Sequence, residues 1–144
     1  MTAVSPDLLR RFDVSGPRYT SYPTADRFVD AFGADDYIRA LEHRRIGSAV
    51  TQPLSLYVHI PFCESLCYYC ACNKIITRHH ERAGGYLRYL GREVDLHVDH
   101  AGTGQMVSQL HLGGGTPTFL SDEELHNLMA MLRRSFTFAP GGEY

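Results

Sequence analysis

The chain is expected to adopt a parallel α/β fold, and three observations point there. An apolar run of strand composition occupies residues 54–60 and ends in a loop. A stretch with helical periodicity follows it, and the same succession begins again at residue 107. Strand, loop, helix, strand, loop, helix is the order that parallel sheets require, because a parallel neighbour is reached only through a long crossover. Binding loops in such folds collect at the carboxyl ends of the strands, where both unusual loops of this chain occur.

Near the start, Ser5 precedes Pro6 and Asp7, so a serine N-cap and a proline at the first helical position predict a short helix carrying Leu8, Leu9 and Phe12. Residues 16–24, Gly-Pro-Arg-Tyr-Thr-Ser-Tyr-Pro-Thr, have two prolines and no period, and are expected to be extended. From Asp35 to about Arg45, Tyr37, Ile38 and Leu41 give one modest apolar helix face. Residues 1–50 therefore read as an N-terminal helical and extended segment, and residues 51–144 as the first βα units.

The strand at 54–60 is expected to close at Pro61, which has no N–H to donate to a ladder. Tyr86, Leu87, Leu90, Val94 and Val98 recur every three or four residues and predict an amphipathic helix to about His100, then a turn through Gly102 and Gly104. A second strand, 107–112, runs into Gly113-Gly114-Gly115-Thr116-Pro117. Ser121 and Glu124 form a capping box ahead of the stripe Leu125, Leu128, Met129, Leu132 and Phe136. At Gly141-Gly142-Glu143-Tyr144 the alternation predicts a third strand to begin. Two parallel strands can neither close a barrel nor bury both faces, so the chain is read as the front part of a larger protein, or a truncated gene product, that alone would expose apolar sheet surface.

The 144 residues suffice for a sizeable core, and 44% hydrophobic content excludes general disorder. A net charge of -2, with no basic run longer than His43-Arg44-Arg45, excludes the electrostatic footprint of a nucleic-acid binder. No apolar run approaches the roughly 18 residues of a membrane span, and the first residues lack the pattern of a secretory signal. A cytoplasmic protein with reduced thiols is expected.

The 4 cysteines, Cys63, Cys67, Cys70 and Cys72, fall within one short loop. Thiolates crowded so tightly imply a metal. Structural zinc sites usually join two ligand pairs across a long segment, whereas a cubane iron–sulfur cluster is wide enough for three thiolates of one turn to meet different corners. Spacing favours the cluster, with its fourth iron open to a substrate, and leaves an all-thiolate zinc module as the alternative.

Cys63-x-x-x-Cys67-x-Tyr69-Cys70 resembles the C-x3-C-x2-C signature of radical S-adenosylmethionine (SAM) enzymes, with the aromatic residue before the third cysteine. Residues 16–24, Tyr57-Val58-His59-Ile60-Pro61-Phe62-Cys63, Cys70-Ala71-Cys72-Asn73-Lys74 and residues 110–118 together resemble the oxygen-independent coproporphyrinogen III oxidases. The resemblance covers nearly the whole chain in order. It implies the N-terminal portion of a partial (β/α)6 TIM-like barrel. It also implies a [4Fe-4S] cluster on Cys63, Cys67 and Cys70, with Cys72 unligated beside it; a small buried filler is the other reading of Cys72.

Two SAM molecules are implied for such an enzyme. Tyr57 and Tyr69 would contact the first, with Gly113, Gly114, Gly115 and Thr116 around its methionine part. Isolated, a triple glycine is equally a flexible turn, and an ordinary strand aromatic is the lesser reading of Tyr57. The reaction implied begins with reductive cleavage of SAM to a 5′-deoxyadenosyl radical, which takes a hydrogen from the propionate β-carbon. Loss of carbon dioxide and an electron then leaves a vinyl group. Two propionates of coproporphyrinogen III are so converted, giving protoporphyrinogen IX for haem synthesis. A flavodoxin or ferredoxin would supply the electron, and a monomer is expected.

A haem chaperone of the same superfamily is the alternative within that likeness; Cys72 and the Tyr-Thr-Ser-Tyr-Pro segment argue against it. Most of the 8 histidines read as ordinary polar residues, with His59 and His111 set apart by their places beside the special loops. Arg78 and Arg82 read as solvated surface before they read as partners for substrate carboxylates.

Overall fold

The computed structural model describes residues 5–13, 27–46, 52–68, 70 and 72–144. The segment 16–24 and Tyr69, both singled out above, lie outside the described residues. The chain divides into two units, Met1–Ala34 and Asp35–Tyr144.

In the first unit, helix α1 spans Pro6–Phe12. It starts as its sequence dictates: the Ser5 hydroxyl accepts from the Leu8 N–H at 3.2 Å, and Pro6 sits where no N–H is needed. The Asp13 N–H closes the other end on the Leu9 carbonyl at 2.8 Å. Leu8, Leu9 and Phe12 are all exposed.

The second unit follows helix α2 (Ala34–Ile46) with a parallel sheet in which β1 (Leu54–Ile60) and β5 (Thr137–Glu143) flank β4 (Met106–Gly114). The crossovers run through α3 (Arg82–Ala101) and α4 (Asp122–Ser135). Val58 and Ile60 of β1, Val107 and Leu110 of β4, Leu90 and Val94 of α3, and Leu128 and Leu132 of α4 form one buried cluster. Both helix stripes thus lie where their 3.6-residue period places them. The capping box of α4 is complete, with the Ser121 hydroxyl accepting from the Glu124 N–H at 3.2 Å and the Glu124 carboxylate accepting from the Ser121 N–H at 2.9 Å. Gly102 and Gly104 supply the turn after α3 with φ of 89° and 70°, a region that side chains disfavour.

Three expectations need correction. The third strand is already formed: β5 pairs with β4 from Met106↔Thr137 to Gln109↔Glu143. Pro140, Gly141 and Gly142 disguise it, because they sit in a register shift where two ladder positions on β4 face a longer stretch of β5. Pro61 interrupts the ladder without ending the extended chain, which resumes as β2 (Phe62–Cys63) and pairs in parallel with β3 (Ile75–Ile76). Finally, the uncovered sheet face is polar: Ser55, Tyr57, Gln109 and His111 are exposed on it, and the Ser55 hydroxyl donates to Gln109 Oε1 at 2.6 Å.

Leu132 is 1% exposed and Leu96, on α3, is 61% exposed. Leu132→Ala should lower unfolding free energy by ~2–5 kcal/mol and Leu96→Ala by less than about 0.5 kcal/mol, as read by denaturant titration of the 144-residue chain.

Candidate functional site

The site is built on four consecutive residues after β1. In an extended chain successive carbonyls point to opposite edges. The Ile60 and Phe62 carbonyls accept from Gly115 and Thr116 N–H at 2.6 and 2.8 Å, and the Pro61 and Cys63 carbonyls accept from Ile75 and Thr77 N–H at 2.7 and 2.8 Å. One edge therefore carries the glycine loop and the other carries the returning end of the cysteine loop. Pro61 contributes its carbonyl and has no donor to leave unpaired.

The β1–β4 register, with His59 opposite Gly113 and Ile60 opposite Gly114, explains the triple glycine. A Cβ on Gly113 would come within 2.7 Å of the Tyr57 ring, and one on Gly114 within 2.8 Å of the His59 ring. A Cβ on Gly115 would collide with the Phe62 carbonyl oxygen and lie 2.9 Å from Cys63 Sγ. The first two obstacles are side-chain ends; the third is backbone and cannot step aside. Gly114 also has φ of 100°.

Cys63 and Cys70 are half-buried, while Cys67 and Cys72 are exposed, and all are free thiols. Exposure removes the reading of Cys72 as a buried filler. The Cys72 N–H donates to Cys70 Sγ at 3.3 Å, and this bond lowers the Cys70 pKa below its ordinary thiol value. The Cys72 thiol is pushed up, first by its hydrogen bond with Cys70. Of this pair, Cys70 is the group biased toward thiolate, the form that ligates metal. The Thr116 hydroxyl lies 3.8 Å from Cys63 Sγ. Cys63, Cys67 and Thr116 share with Glu64 and Phe119 a cleft of about 390 Å3. Among the described residues no three His, Cys, Asp or Glu side chains converge as a single metal ion would require.

Tyr57 is fixed from two sides. Its ring stacks on His111, with centroids 5.8 Å apart and planes at 15°, and its hydroxyl lies 3.2 Å from His59 Nδ1. His59 Nε2 lies 2.8 Å from the Asn73 carbonyl oxygen. A carbonyl only accepts, so Nε2 carries the proton of the neutral ring and Nδ1 accepts from Tyr57. Asn73 belongs to the last part of the cysteine loop, so these side chains join β1 and β4 to that loop. His59 and His111 both contact Tyr57. Arg78 and Arg82 are exposed.

Comparison with known proteins places this geometry in a family. No protein-family model matches the chain. The oxygen-independent coproporphyrinogen III oxidase of Pseudomonas aeruginosa is 54% identical over 127 residues, 88% of this chain and 27% of that protein. The protein of the same name from Mannheimia haemolytica is 45% identical over 136 residues, which cover 94% of this chain and 89% of that one. The chain belongs to the oxygen-independent coproporphyrinogen III oxidase family. It spans about 27–28% of the length of the Pseudomonas aeruginosa and Escherichia coli oxidases. A solved structure of the Escherichia coli coproporphyrinogen III oxidase, described as a radical SAM enzyme, matches with a TM-score of 0.76 and 42% identity over 94% of this chain and 29% of that one. The parallel α/β sheet of the chain is thus a partial stretch of the fold of these oxidases.

Sequence reasoning missed what holds this site together, because the acceptors are backbone carbonyls, which residue identity does not advertise. It also missed Glu64 and His80, whose pairing joins residues far apart in the chain.

Gly115→Ala tests the close approach. The added methyl should destabilise the chain by ~1–3 kcal/mol in denaturant titration, the range for overpacking against atoms that cannot move. Gly104→Thr is a poor control because of its φ, whereas Gly84→Ala, with nothing within 4 Å of the new Cβ, should be neutral or mildly stabilising.

Proposed function

We propose that the chain forms the cluster-binding and SAM-binding part of an oxygen-independent coproporphyrinogen III oxidase, which converts two propionate side chains of coproporphyrinogen III to vinyl groups. The observation that carries the reading is the joining of two loops to opposite edges of residues 60–63: one bears the cysteines, the other the triple glycine. A ligand spanning the cysteine loop and the glycine loop needs both in a fixed relation, and this pairing supplies it.

The donor set fits a cluster. Three thiols come from one loop; one of them, Cys70, is biased toward thiolate, and Cys63 and Cys67 line the same cleft. Cys63, Cys67 and Cys70 would hold three irons of a [4Fe-4S] cluster, with Cys72 unligated. Tyr57, Tyr69, Gly113, Gly114, Gly115 and Thr116 would surround SAM. When bound, cluster and SAM together supply one-electron cleavage of a sulfonium bond and a carbon radical that removes a propionate hydrogen.

The residues of the chain hold and orient. His59 receives the Tyr57 hydroxyl proton bond and keeps that ring in one place. Gly115 lets the second loop lie directly against Cys63, where any side chain would part them. The Cys72 N–H, with the Lys74 ammonium as a smaller contribution, lowers the Cys70 pKa and so favours its ligating form. A flavodoxin or ferredoxin as electron donor, a monomeric state and a cytoplasmic location complete the reading. No described helix is long and apolar enough to cross a membrane.

Anaerobic reconstitution with iron and sulfide tests it. The 144-residue chain should take up about four irons and as many acid-labile sulfides, with the EPR signal of a reduced [4Fe-4S] cluster. Ser at position 63, 67 or 70 should abolish or strongly reduce uptake, and Cys72→Ser should preserve it. One zinc per chain without sulfide would contradict the proposal.

A further inference from the structure

The two residues flanking Cys63 are tied to one platform outside the β-ladder. Phe62, before it, stacks on Phe119 with ring centroids 5.0 Å apart and planes at 26°. Glu64, after it, lies with Oε1 3.2 Å from His80 Nε2, and the His80 ring in turn lies on Phe119, with centroids 4.3 Å apart and planes at 14°. His80 Nδ1 is 3.1 Å from the Phe119 carbonyl oxygen. Phe119 belongs to the 3-10 turn Pro117–Phe119, directly beyond the glycine loop, and is buried.

We propose that His80 is a positioning residue that clips the first turn of the cysteine loop to the turn after the glycine loop, setting Cys63 and Cys67 toward their shared cleft. The proposal rests on the reading of those two cysteines as ligands and adds to it the group that orients them. Its chemistry is in the partners: a carboxylate and a backbone carbonyl both accept and neither donates. With its N–H on Nε2 the ring donates to Glu64, and its flat seat on Phe119 holds it there. His79 takes the neighbouring carboxylate, with Nδ1 3.1 Å from Glu81, which leaves His80 directed at Glu64. Glu64 and Phe119 line the cleft of Cys63 and Cys67, while His80 and Phe119 line an adjoining cleft of about 600 Å3. The clip therefore stands as the wall between the two.

The side chains of His80 and Glu64 are 57% and 61% exposed, so the effect is modest and local rather than global. The test uses the metal-free 144-residue chain, so its result is independent of whether a cluster assembles; iron and sulfide content of the reconstituted chain reports separately on the ligand reading. Alkylation by iodoacetamide is followed for each cysteine by peptide-resolved mass spectrometry. His80→Phe keeps a ring on Phe119 but removes the N–H donor; His80→Gln restores a side-chain N–H; Glu64→Ala removes the exposed acceptor. The clip predicts that His80→Phe and Glu64→Ala each change the rates at Cys63 and Cys67 by roughly two- to fivefold upward, with Cys72 unchanged. The double variant should go no further than either single one, and His80→Gln should stay near the wild-type rates. Unchanged rates at Cys63 and Cys67 in His80→Phe, an equal rise at Cys72, or a His80→Gln chain as reactive as His80→Phe would each overturn the proposal.

Discussion

Everything at this site hangs on how one extended tetrapeptide spends its carbonyls. Ile60 and Phe62 direct theirs to one edge and Pro61 and Cys63 to the other, so the glycine loop and the returning cysteine loop are hydrogen-bonded to the same backbone. The alternation is a property of extended chain rather than of any side chain. It carries the parallel pairing of β1 and β4 past the ends of the strands and into the loops. Backbone N–H and C=O groups at the mouth of a sheet must find partners, and here the two loops donate their N–H groups to the carbonyls of residues 60–63.

Side chains then refine what the backbone sets. Gly115 permits the close approach, because any Cβ there meets the Phe62 carbonyl. His59 links Tyr57 to the cysteine loop through Asn73. Tyr86 donates from α3 to the His59 carbonyl, and its ring meets Phe62 edge to face at 5.6 Å, so the crossover helix braces the same corner. Burial raises the Tyr86 pKa and keeps its hydroxyl a donor. The uncovered sheet face bears Ser55, Tyr57, Gln109 and His111 where a packed barrel interior would bear branched apolar side chains, which suits a fold that places ligands against its sheet.

Much of this was legible in the sequence, for definable reasons. Helices α3 and α4 announce themselves by periodic apolar stripes and by the Ser121–Glu124 capping box, and those stripes are what the core buries. Strand β1 and the body of β4 are apolar enough to be recognised. The cysteines and glycines stand out because few roles need them so closely spaced. Strand β5 was hidden because Pro140, Gly141 and Gly142 carry turn chemistry, and the two-residue strands β2 and β3 are too short to have a period. The polar character of the open face could have been read from Ser55, Tyr57 and His59 alternating with Leu54, Leu56, Val58 and Ile60. The contacts of His80 with Glu64 and Phe119 had no local signature, since they join three separate segments.

The shared backbone is tested most directly by amide hydrogen exchange resolved to single residues in the 144-residue chain. The Gly115, Thr116, Ile75 and Thr77 amides should exchange as slowly as the amides of the β1–β4 ladder, because they continue it. Exchange of these four at the rate of unprotected peptide, with the ladder itself still protected, would contradict the account.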